Sequence, residues 1–154
     1  MRTVFSLHLL LFVSLAASMP VAGQDFPSFV AKAKSIVEAK DSKLKLVLRD
    51  EREKEASYIW NFERGPEVPG IRLYIFYGAS KQEAAERMHS VIDFLPVGPR
   101  RAPDGPGDEA YISTGLRTTS VRFRKSNVYV DVSAPSTEMA KDIAKKIAEL
   151  VPGK

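Results

Sequence analysis

Two rhythms of apolar and polar residues run along this chain, and they switch where turn-forming residues fall. Between positions 26 and 39, Phe26, Phe29, Val30, Ala33, Ile36 and Val37 recur at helical spacing, with Lys32, Lys34 and Glu38 on the opposite side. Asp25 precedes them as an N-cap. Pro27 falls in the first turn, where its missing N–H costs nothing. From 43 to 49 the period drops to two. Leu44, Leu46 and Leu48 alternate with Lys43, Lys45 and Arg49, the pattern of a half-buried strand. The charged stretch 50–54 reads as a solvated turn. A second strand at 57–63 carries Tyr58, Trp60 and Phe62 on one face. Pro and Gly at 65–70 make a loop. A third strand at 71–77 sets Ile71, Leu73, Ile75 and Tyr77 on one face and Arg72, Tyr74 and Phe76 on the other.

Ser80-Lys81-Gln82-Glu83 has the form of a capping box. It opens a helix to about Phe94, with Ala84, Met88, Val91, Ile92 and Leu95 inward, and Pro96 stops it. Residues 96–107 hold four prolines and three glycines, a loop expected to pair neither as strand nor as helix. Three further strands follow, around Glu109–Tyr111, Val121–Arg124 and Val128–Val132. The last two form a hairpin turned by Lys125-Ser126-Asn127, in which Asn127 tolerates a left-handed conformation. A final helix at 137–151, capped by Ser136, has a stripe of Met139, Ile143, Ile147, Leu150 and Val151, flanked by Ala140, Ala144 and Ala148.

The order is therefore helix, three strands, helix, three strands, helix. Short connections between strands make hairpins, so the fold class is α+β, with a mainly antiparallel six-stranded sheet and three helices packed on it. If all three helices share one face, that face takes Leu44, Leu46, Leu48, Ile71, Leu73, Ile75, Val121, Phe123, Val128, Val130 and Val132. The other face then stays wet and carries Lys43, Lys45, Asp131 and a set of arginines and aromatics: Arg72, Tyr74, Phe76, Arg122, Arg124 and Tyr129. Rings beside guanidinium groups are enriched at recognition surfaces, so these last six are the candidate ligand-binding residues. The competing explanation is that cross-strand Arg–aromatic and Arg–Asp pairs stabilise an exposed sheet face.

Composition narrows the setting. Residues 1–23 have Arg2, an apolar run from Leu7 to Ala17 and small residues at Ala22-Gly23, the layout of a signal peptide cleaved before Gln24. The run is too short to span a bilayer, for which about 20 residues are needed. Removing it leaves residues 24–154 as a single α+β domain. The 154-residue chain contains no cysteine, so it has neither disulfides nor the lipidated cysteine of a lipoprotein. A periplasmic or secreted protein with no stable membrane anchor after cleavage is expected. The formal charge of +4 falls by one when Arg2 leaves, and the remaining charges are well mixed, which gives no nucleic-acid footprint.

Catalytic sets are sparse. His89 is the one histidine beyond residue 23, and a lone helical histidine reads as a surface residue. No Gly-x-Ser-x-Gly elbow and no phosphate-cradling glycine loop occur. No cofactor, no metal and no catalytic residue are expected. Asp104, Asp108 and Glu109 match no EF-hand spacing.

The run Gly107-Asp108-Glu109-Ala110-Tyr111, the later Phe123-Arg124-x-x-Asn127-Val128-Tyr129-Val130 and the Ala-rich last helix resemble a pattern in exported bacterial α+β domains of uncharacterised function. It is also similar to extracytoplasmic sensor-type and lipoprotein domains, with a bent antiparallel sheet flanked by helices. The resemblance spans roughly residues 70–151 and carries no catalytic residues. It implies a non-catalytic binding or accessory module outside the cytoplasm, with a protein or small ligand of the cell envelope as partner. Two alternatives stay open: a hydrolase using Asp108, Glu109 or Asp131 as acid and base, and a purely structural envelope protein.

Overall fold

A computed structural model describes residues 25–63 and 70–152. The expected signal peptide and most of the loop at 65–70 lie outside these residues. The described chain runs α1 (Phe26–Glu38), β1 (Leu44–Glu51), β2 (Glu55–Phe62), β3 (Ile71–Tyr77), α2 (Lys81–Asp93), β4 (Arg100–Arg101), β5 (Glu109–Thr114), β6 (Thr119–Lys125), β7 (Val128–Ala134) and α3 (Thr137–Leu150). The fold is α+β, with three helices and one antiparallel sheet in the order β1-β2-β3-β7-β6-β5-β4. Each half of the chain forms a meander, and the two meanders join along β3 and β7.

The helix starts follow the sequence. Asp25 accepts from Ser28 N at 3.0 Å, Ser80 from Glu83 N at 3.1 Å and Ser136 from Met139 N at 3.2 Å. The Glu83 carboxylate reaches back to the amide of Ala79 rather than to that of Ser80. Seven strands replace the expected six. Arg100 and Arg101 pair with Ile112 and Tyr111, because the prolines flank this dipeptide and leave its N–H groups free for a short ladder. In the β6–β7 turn the left-handed residue is Ser126, with φ 53°, and not Asn127. Asn127 donates its side-chain amide to Gly78 O at 2.7 Å, tying this turn to the end of β3.

The core lies between one sheet face and the pair α1 and α3. Trp60, Tyr58, Leu73, Val130, Phe123, Ile143 and Ile147 are wholly buried there. Ala140, Ala144 and Ala148 let α3 approach β6 and β7 closely. The expectation that all three helices share this face is wrong. α2 packs on the opposite face, where Ala84 and Met88 meet Phe76 and Tyr129 in a second apolar cluster. β3 and β7 are therefore covered on both sides.

The first strand also departs from expectation. A bulge between Leu46 and Leu48 shifts the register, so Leu46 pairs with Trp60 while Leu48 pairs with Ile59, and the two leucines point to different faces. β1 is an edge strand, and Leu46, Val47 and Leu48 are all exposed. Among the described residues, no helix is long and apolar enough to cross a membrane.

Candidate functional site

The six residues expected on a wet sheet face do not form one surface. Tyr129 is fully buried, and Arg122 and Phe76 are 8% exposed. Tyr74 is half-buried: its ring packs edge-on against Tyr129 at 5.8 Å, and its hydroxyl accepts from Arg87 Nε at 2.8 Å. Arg87 also lies over the Tyr74 and Phe76 rings, at 5.5 and 5.9 Å. α2 thus covers the aromatic part of this face. Arg124 sits at the hairpin end, donating to Asp108 at 3.0 Å and to Ser126 O at 3.2 Å. Only Arg72 stays in solvent.

Beneath α2, Arg122 Nη1 donates to Ser113 Oγ at 2.8 Å, and its Nε lies 2.8 Å from Asp131 Oδ2. Burial pushes the Asp131 carboxyl above the usual aspartate range, and Arg122 draws it back only in part. The Tyr129 hydroxyl and Asp131 Oδ1 make no hydrogen bond. His89 is a surface residue with a partner: its Nε2 lies 3.0 Å from Glu109 Oε1, which also accepts from the Tyr111 hydroxyl at 2.9 Å. Burial works against ionisation of Glu109. The His89 and Tyr111 hydrogen bonds outweigh it and hold the carboxyl below its ordinary value. Among the described residues no group of three or more His, Asp or Glu could hold a metal.

A concave site does exist, on the α3 side of the sheet and alongside that helix. Residues 102–106 fold back beside α3 and leave a cleft of about 550 Å³. Its apolar lining comes from Ala102, Pro103, Pro106, Ile112, Val121 and Ala148. Lys141 and Lys145, one helical turn apart, line it from α3, with Asp104 and Glu149 at the margin. Among the described residues no ion pair engages Lys141 or Lys145. Lys125, also on the lining, donates to Ala148 O at 2.8 Å and so satisfies a carbonyl at the end of α3.

The loop wall is held by backbone bonds. Ala102 N donates to Ala110 O at 2.8 Å, Gly105 N to Ala102 O at 2.9 Å and Asp108 N to Arg124 O at 2.7 Å. Gly107 has φ +81°, and a Cβ there would lie 2.5 Å from Arg124 O, so only glycine lets the chain turn into β5. The cleft continues past Ala102, Ile112 and Lys141 into a second hollow of about 780 Å³, which Arg100, Arg101 and residues 95–98 help to line. Together the two hollows carry Arg100, Arg101, Lys125, Lys141 and Lys145 against Asp104 and Glu149. Sequence patterning marked the Pro-Gly loop as irregular but gave no sign of what it faced, since Lys141 and Lys145 lie some forty residues away.

No family model matches the sequence. No curated protein matches it. Among solved structures, the chain is similar to a GTP binding regulator from Thermotoga maritima at 14% identity and a TM-score of 0.52, over 79% of this chain and 88% of that one. At that identity the likeness is one of fold alone.

Proposed function

We propose that this chain is an exported, non-catalytic binding domain that holds a small anionic amphiphile in the cleft between α3 and residues 102–106. The observation that carries this reading is an apolar floor bordered by two lysines, Lys141 and Lys145, that enter no ion pair among the described residues. The volume falls within the roughly 300–1,000 Å³ usual for small-molecule sites, and a few polar groups set in apolar walls are their usual chemistry. An apolar ligand body would cover Ala102, Pro106 and Ile112, and a carboxylate or phosphate head would meet the ammonium groups. Export rests on the sequence of residues 1–23. The hydrolase alternative is weakened by the use already made of its carboxylates: Asp108 is held by Arg124, Glu109 by His89 and Tyr111, and Asp131 by Arg122.

Calorimetric titration with decanoate, decyl phosphate and decyltrimethylammonium tests this reading. The two anions bind, the cation does not, and the K141Q/K145Q variant weakens anion binding at least about tenfold, a loss of ~1.4 kcal/mol. Equal binding of the cation, or anion binding indifferent to the two lysines, overturns it.

A further inference from the structure

The two ends of the sheet are chemically opposite. At one end lies the β1–β2 turn, Asp50-Glu51-Arg52-Glu53-Lys54-Glu55, charged at every position, with Asp50, Glu51 and Glu55 in ion pairs with Arg52, Arg49 and Arg87. At the other end, the C-terminus of α2 and the β5–β6 turn project apolar side chains into solvent. Phe94 is 88% exposed, Val97 79%, and Leu116 fully. The fold brings the segments that carry them to one hollow: Val97, three residues beyond Phe94, lines it with Thr114, Gly115 and Thr118, the chain neighbours of Leu116. Arg100, Arg101 and Arg117 accompany them, and Asp93 is the sole carboxylate in residues 93–101 and 114–118. Single exposed apolar residues are ordinary, but three on two loops that share a hollow with Arg100 and Arg101 are not.

The geometry points to this end of the molecule as a docking surface for an anionic phospholipid bilayer. Apolar tips from separate loops suit insertion among acyl chains, and the guanidinium groups beside them suit lipid phosphates at headgroup depth. The β1–β2 turn at the far end has no apolar residue at positions 50–55 to insert, which orients the molecule. The contact is a reversible adsorption and not an anchor, because three side chains bury little area. The inference does not rest on ligand binding in the cleft.

The chain lacks cysteine, so a single Leu116→Cys variant can carry an environment-sensitive dye at the tip, and Glu53→Cys carries it at the opposite end. Both full-length proteins are mixed with vesicles of phosphatidylglycerol and of phosphatidylcholine. The expected result is a blue shift at position 116 with the anionic vesicles, little with the neutral ones, and none at position 53. Adding R100Q/R101Q to the L116C protein lowers vesicle affinity by roughly fivefold per cation. Phe26 packs on Tyr77 at the Glu53 end, so attachment through the apolar run of residues 1–23 would move the dye at 53 and leave 116 in water. That result overturns the proposal. So does the absence of a shift at 116, which would leave the patch to a protein partner, or a shift unchanged by R100Q/R101Q.

Discussion

Arg122 and Asp131 sit directly opposite one another on β6 and β7, and their side chains form an ion pair at 2.8 Å in the shadow of α2. Removing one member of a buried pair strands the other charge, whereas replacing both by apolar groups relieves the desolvation of each. Asp131→Ala should lower unfolding stability by about 3 kcal/mol in urea titration. R122M/D131L should recover most of that loss. A double variant as unstable as the single one would mean that the pair is needed for more than charge balance.

Met88 is wholly buried against the aromatic cluster of Phe76 and Tyr129. Met88→Ala should cost about 3 kcal/mol of stability, a value typical of a true core position. A cost under about 1 kcal/mol would place α2 loosely on the sheet and reopen the aromatic face to solvent.

Glu109 has a folded-state pKa below its unfolded one, because His89 and Tyr111 hydrogen-bond its ionised form. Its stabilising contribution is therefore complete above the unfolded carboxylate range and is lost as pH falls through the lowered folded value. Glu109→Gln should flatten the acid limb of the stability-versus-pH curve and reduce stability at neutral pH. An acid limb identical to that of the parent protein would show that the network contributes nothing.

Gly107 meets two demands at once, a positive φ and a close approach to Arg124 O. Gly107→Ala should cost about 2 kcal/mol, since an L side chain in the left-handed region is strained by about 1–2 kcal/mol before any clash. The bond from Asp108 N to Arg124 O should break, and the 102–106 wall should shift. Decyl phosphate binding should weaken in the same variant while α-helical circular dichroism is unchanged.

Much of the architecture was legible because it is written locally. The caps at Asp25, Ser80 and Ser136, the period-two runs of β3 and β7 and the Ala-flanked stripe of α3 each depend on residues within a turn or two of one another. One clue to the two-sided sheet was also present. β3 reads Ile71-Arg72-Leu73-Tyr74-Ile75-Phe76-Tyr77, apolar on both faces, as expected of a strand covered on both sides. Its aromatic face reads equally well as a recognition surface, because Tyr and Phe beside Arg suit either role.

By itself, then, the amino-acid order determined the helices, the hairpins, the fold class and the absence of thiol chemistry. Only tertiary structure decided which side of the sheet α2 would take. Its inward stripe, Ala84 and Met88, fits any apolar patch, and the choice turned on Phe76 and Tyr129 meeting across β3 and β7. The same holds for the bulge that parts Leu46 from Leu48, and for the cleft in which lysines of α3 face the Pro-Gly loop. Periodicity and capping arise from neighbours along the chain. Pairing register and the facing of surfaces arise between segments far apart in it, where side-chain alternation alone does not specify a partner.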